Sequence, residues 1–121
     1  MKYNLFLDDT REPNKFLKDT RTWLVVRNYN QFVETIAKQG LPDFISFDHD
    51  LADEHYNEEH PDYDKFKEKT GYDCAKWLVE YCMKTSQSLP EWQVHSMNPI
   101  GRMNINMILS MYKDKEEDIH E

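Results

Sequence analysis

The chain has 121 residues, of which 39% are hydrophobic, 31% charged and 13% aromatic, with a formal net charge of -8 at pH 7. That is enough chain for one core and too little for two, and the apolar and aromatic content argues against general disorder. The negative charge opposes a surface that grips duplex DNA along its phosphates, and no apolar run is long enough to span a bilayer.

The opening MKYNLFLDD turns acidic before a signal-peptide core can form, which makes the cytoplasm the expected compartment. Tyr3 to Leu7 is a short apolar run ended by Asp8-Asp9, the pattern of a buried strand leading into a polar loop with Thr10, Arg11 and Pro13. Trp23 to Val26 is a second run of strand formers, and beyond Asn28 the residues Phe32, Val33, Ile36 and Ala37 recur at helical spacing until Gly40. Phe44 to Phe47 is a third strand, closed by Asp48-His49-Asp50. Residues 51–69 are dominated by Asp, Glu, Lys, His and Tyr without periodicity, a connection longer than most, and are a candidate lid.

Thr70-Gly71-Tyr72-Asp73 has the spacing of a capping box and predicts a helix whose buried stripe is Cys74, Trp77, Leu78 and Tyr81. Cys74 and Cys82 would stand about 12 Å apart along that helix, beyond the ~7 Å reach of a disulfide, and read as buried free thiols. A fourth strand is expected at Gln93 to His95. Asn98 then caps a last helix, with Pro99 at its first position and Ile105, Ile108, Leu109 and Tyr112 on its buried face. The charged segment 113–121 is expected to fray. Strands alternating with helices imply an α/β fold, a single domain over 1–121 with an open parallel sheet and helices on both faces.

Ligands of such sheets bind in the crevice outside the carboxyl ends of the strands. The first strand delivers Asp8, Asp9 and Arg11 there, the third Asp48, His49 and Asp50, and the fourth His95 and Ser96, followed by Asn98, Ile100 and Gly101 at a helix start. Crowded carboxylates raise one another's pKa unless a cation relieves them. Asp8, Asp9, Asp48 and Asp50 are therefore candidate ligands of a divalent metal, Mg²⁺ or Mn²⁺, with Fe²⁺ or Zn²⁺ entering if a histidine joins. Asp48, His49 and His95 are the catalytic candidates, both histidines titrating near neutrality. Arg11, Ser96 and Asn98, with the amides at Ile100 and Gly101, are the candidates for holding phosphate. His55, His60 and His120 lie in polar stretches and read as solvated.

The blocks LFLDDTREP, FDHDL, TGYDCAKWL and VHSMNPIGRMNI, in this order between Tyr3 and Ile108, resemble the cyclic-phosphate processing receiver domain family. The resemblance implies a three-layer, receiver-like (flavodoxin-like) fold, here truncated to about four strands. Asp8-Asp9 takes the place of the family's first acidic pair and Asp48 that of the receiver phosphoacceptor. A conventional receiver also carries a lysine after a fifth strand, and this sequence has no such segment. The expected function is a metal-dependent phosphoesterase that opens a cyclic phosphate on a nucleotide, cyclic oligonucleotide or RNA end. The alternatives are a non-catalytic sponge for a cyclic nucleotide or related phosphorylated signal, and a receiver-like regulatory or interaction domain. The expected partner is a small phosphorylated ligand, with neither duplex DNA nor membrane.

Overall fold

A computed structural model describes residues 3–13, 22–50 and 70–120 of the chain. Its elements are β1 (Asn4–Leu7), β2 (Trp23–Val26), α1 (Tyr29–Gln39), β3 (Phe44–Phe47), α2 (Gly71–Thr85), β4 (Glu91–Val94) and α3 (Pro99–His120). The four strands form one parallel sheet in the order β2-β1-β3-β4, a truncated receiver-like α/β architecture. The candidate lid at 51–69 lies outside the described residues.

The register decides what the sheet can do. Leu7 pairs with both Val26 and Phe47, and Phe47 pairs with Val94. All four strands therefore end at one level, and the residues that follow them, Asp8, Arg27, Asp48 and His95, emerge together on one rim. Strand β4 begins at Glu91 and stops before His95, two residues earlier at its start than the sequence pattern suggests. It is an edge strand, so Glu91 and Gln93 escape the full burial that makes β1 and β3 legible as apolar runs.

Alternation along the strands divides the side chains between two faces. Leu5, Leu7, Val26, Ile45 and Phe47 point to one side, where they form a core with Phe32 and Ile36 of α1, Cys74, Ala75, Leu78 and Cys82 of α2, and Ile105 and Leu109 of α3. Fully burying a side chain of this size stabilises the fold by ~1.5–3 kcal/mol. The cysteines are free and buried. The opposite face carries Phe6 and Ser46, both fully buried, with Trp23 edge-on to Phe6 at 5.8 Å and tilted against Phe44. All three described helices contribute to the first face; the β1–β2 connection includes residues 14–21, which are not among those described.

Local signals fix the helix boundaries. The Asn28 side chain accepts from Gln31 N at 2.9 Å to start α1, and Gly40, at φ 85°, stops it. The capping box of α2 is present: Thr70 Oγ1 accepts from Tyr72 N at 3.1 Å and Asp73 N at 3.4 Å, while Asp73 Oδ2 accepts from Thr70 N at 2.7 Å. Helix α3 runs on through the charged stretch to His120, Lys and Glu being strong helix formers. The solvent side of α3 is unusually apolar, with Ile100, Met103, Met107 and Met111 between 54% and 70% exposed. Among the described residues no helix is long and apolar enough to cross a membrane.

Candidate active site

The rim encloses a cleft of about 200 Å³ lined by Asp8, Asp9, Thr10, Arg11, Asp48, Asp50, Ser96 and Met97. A larger depression, about 370 Å³, lies at the opposite end of the sheet around Pro42, Leu89 and Glu91, away from the carboxylates of the rim. Chemistry rather than volume identifies the site. At the floor of the smaller cleft stand Asp8, 1% exposed, and Asp48, 7% exposed.

Each floor residue is held from several directions. Asp8 Oδ1 accepts from the amides of Thr10 at 2.9 Å and Arg11 at 2.8 Å, so the turn after β1 is built around this carboxylate. Its Oδ2 lies 2.9 Å from His95 Nε2 and 3.9 Å from Arg11 Nη1. Asp48 Oδ1 accepts from His49 N at 2.9 Å. One potential ligand atom each from Asp8, Asp48 and His95 falls within 4.8 Å of the others.

The two carboxylates are driven apart electrostatically. Burial alone would raise the pKa of Asp8, but the bond from His95, the amides of Arg11 and Thr10 and the charge of His95 together hold it below the ordinary 3.8. Asp48 moves up, first because it is buried and then because the Asp8 charge is close; His95, the His49 amide and Arg11 offset this only in part. Two buried acids of opposite tendency, one with its repulsion only partly relieved by protein groups, suit a hard cation that takes carboxylate oxygens and keeps waters on its open side.

Ser46 and Gln93 belong to this assembly and were not legible as site residues in the sequence. Ser46 Oγ lies 2.7 Å from His95 Nδ1 and accepts from Gln93 Nε2 at 2.9 Å. The His95 ring stacks on Phe6 at 4.6 Å and 3°, leaving its side chain 3% exposed. The available signal was Ser46 itself, one hydroxyl inside the apolar run Phe44-Ile45-Ser46-Phe47.

The other rim residues occupy a second tier. His49 Nδ1 pairs with Asp50 Oδ1 at 2.8 Å, and Asn98 Nδ2 donates to the same oxygen at 3.3 Å. Asp9 and Asp50 line the cleft but stand outside the group of Asp8, Asp48 and His95. Ser96, 1% exposed, accepts from Asn98 N at 3.1 Å and faces the cleft. Gly101 N donates to the capping Asn98 Oδ1 at 3.0 Å, and a β-carbon there would overlap the His49 ring, so Gly101 supports His49 and stands back from the cleft. Ile100 is 70% exposed and is not among the cleft-lining residues.

A family model, the cyclic-phosphate processing receiver domain, matches residues 3–111. The match spans nearly the whole chain, and the protein belongs to this family of receiver-like domains associated with cyclic-phosphate processing. No curated protein and no solved structure gave a match.

Proposed function

We propose that this member of the cyclic-phosphate processing receiver family is a metal-dependent phosphoesterase that opens a cyclic phosphate on a nucleotide, cyclic oligonucleotide or RNA end. The observation that carries the reading is the buried Asp8 and Asp48 pair at the floor of the rim cleft, with one acid held ionised and the other pushed towards its protonated form. Such separation of two neighbouring acids is the mark of a site built for a cation or for proton transfer. Asp8 and Asp48 would hold Mg²⁺ or Mn²⁺. When bound, the ion supplies a Lewis acid for phosphoryl oxygens and makes water a stronger acid.

The chain's own groups then have separate tasks. Arg11, on the cleft wall with 35% of its side chain exposed, donates to a phosphoryl oxygen as charge builds there. Ser96 accepts from Asn98 N and can turn its hydroxyl hydrogen to the same group. Water attacks phosphorus, the bond from phosphorus to one ring oxygen breaks, and that oxygen takes up a proton. His49, paired with Asp50, or His95, bonded to Asp8, would carry the proton.

Incubation with cyclic mononucleotides, cyclic oligonucleotides and RNA bearing 2′,3′-cyclic ends, each with Mg²⁺ and Mn²⁺, tests the reading by phosphorus NMR of the products. A linear phosphate is expected from wild type and none from Asp48→Asn. One observation favours a second reading, capture without cleavage: His95 is bound to Asp8 and the His49 ring is packed on Gly101, which leaves both histidines engaged. Ligand recovered intact from wild type under every metal condition would decide for capture.

A further inference from the structure

Helix α3 carries an apolar stripe on the side turned away from the core. Ile100, Met103, Met107 and Met111 are all more than half exposed, while Ile105 and Leu109 are buried beneath the helix. At 3.6 residues per turn the four exposed side chains fall within an arc of about 80°, centred nearly opposite Ile105 and Leu109. We propose that this stripe is the interface of a homodimer in which two copies of the chain pair through α3, antiparallel about a two-fold axis. The proposal is independent of the metal-site reading.

The sequence along the stripe is unlike a solvated helix face, which ordinarily sets charged residues opposite the buried side. From Met103 to Tyr112 there is no charged residue, in a chain that is 31% charged and carries a net charge of -8. The other exposed positions of this stretch, Asn104, Asn106 and Ser110, are polar and neutral. The like charge that would hold two acidic copies apart is thus missing where the helices would meet.

The symmetry of the stripe singles out a second copy as the occupant. Ile100 and Met111 lie five and six residues either side of position 105, and Met103 and Met107 lie two residues either side of it. A two-fold contact needs this property, because residue i of one copy must meet residue j of the other while j meets i. Antiparallel pairing about the level of position 105 sets Met103 against Met107 of the second copy and Ile100 against Met111 of the second copy, so every apolar group meets another. It also sets the two helix dipoles in opposite directions, the favourable arrangement. Methionine suits such a seam, since its unbranched thioether chain adapts to an identical neighbour. Two stripes face to face would remove on the order of 1,000 Å² from water, close to the lower bound for a specific interface, which makes the pairing reversible. Ser96 and Met97 of the cleft stand just before α3, so the two clefts would lie at opposite ends of the paired helices.

Sedimentation velocity of the full chain, from low micromolar to submillimolar concentration, tests the proposal. A species of twice the 14.6 kDa chain mass is expected to grow in with concentration. Met103→Glu and Met107→Lys, each alone, put an unpaired charge into the seam and should weaken pairing about 30-fold, the scale of an interface hot spot. Mixed with each other, the two variants should pair again, because the antiparallel register brings position 103 of one against position 107 of the other, where the introduced charges are opposite. A parallel register brings like positions together and gives no such rescue. Both side chains are exposed, so the circular dichroism of each variant should match wild type. Should either fold poorly, Ile100→Glu mixed with Met111→Lys poses the same question further out along the seam. A wild type that stays monomeric throughout overturns the proposal and leaves the stripe to a different partner. A dimer that survives both single substitutions places the interface elsewhere and overturns it too, and failure of the mixture to pair overturns the antiparallel register.

Discussion

Asp48 carries a stability cost that depends on pH. Its folded pKa lies above the ordinary 3.8. An acid shifted upward favours the fold fully below its unfolded pKa, and that contribution is lost as pH rises through the folded value. Metal-free Asp48→Asn should therefore melt higher than wild type at pH 7 and level with it near pH 3. Scanning calorimetry across that range checks this, and Mn²⁺ should reverse the order by stabilising only wild type. Asp8 has the opposite sign: its lowered pKa contributes stability above the unfolded value that disappears as pH falls through the folded one. Asp8→Asn should cost roughly 1.5–3 kcal/mol at neutral pH, the range for bonds to a buried charged group, measured by urea unfolding. Both acids were legible because they end apolar runs. Ser46 and Gln93 were not, because the partner of a strand hydroxyl is set by register across β3 and β4, which no local pattern encodes.

Among the elements, α2 was the most readable and also concealed the most. Its capping box could be read from Thr70 and Asp73, and Thr70→Ala should cost about 1 kcal/mol by denaturant unfolding with metal affinity unchanged. What the box did not reveal is how near α2 comes to the site. Gly71 N donates to His49 O at 2.8 Å, and a β-carbon on Gly71 would overlap the Asp48 carbonyl oxygen. Only glycine lets the helix begin there. Gly71→Ala should lower stability and weaken metal binding together, whereas Thr70→Ala should alter stability alone; calorimetry on both variants separates the two. Gly101 beneath His49 follows the same logic at the start of α3. Close approaches of this kind belong to the packing of one element on another, so the sequence marks the glycine without naming what it meets.

At the scale of the whole molecule, alternation of strands and helices was enough to predict a parallel sheet with its acids on one rim. The strand order β2-β1-β3-β4 then brings β1 and β3, the two strands that end in buried acids, side by side at the centre. Neighbouring strands lie about 4.8 Å apart, so Asp8 and Asp48 are close by construction, whatever the side-chain rotamers. A cation shared between them, as proposed above, would tie the two central strands together at their ends. Saturating Mn²⁺ at 100 times its dissociation constant should then add about 2.7 kcal/mol to unfolding, and the gain should vanish in an Asp8→Asn, Asp48→Asn double variant.

The exposed methionines of the rim and of α3 equip the molecule with its own chemical ruler. Thioethers in solvent oxidise to sulfoxides at rates that follow their access to peroxide. Met97 lines the cleft and is 74% exposed, whereas Met103, Met107 and Met111 lie further along α3 at 54–60% and are not among the cleft-lining residues. A molecule seated against the carboxylates should slow oxidation of Met97 while the other three react at their usual pace, so mass spectrometry of a brief peroxide pulse would report occupancy of the cleft by any candidate ligand, cleaved or not. Equal protection along α3 would instead mean that something had settled on the helix.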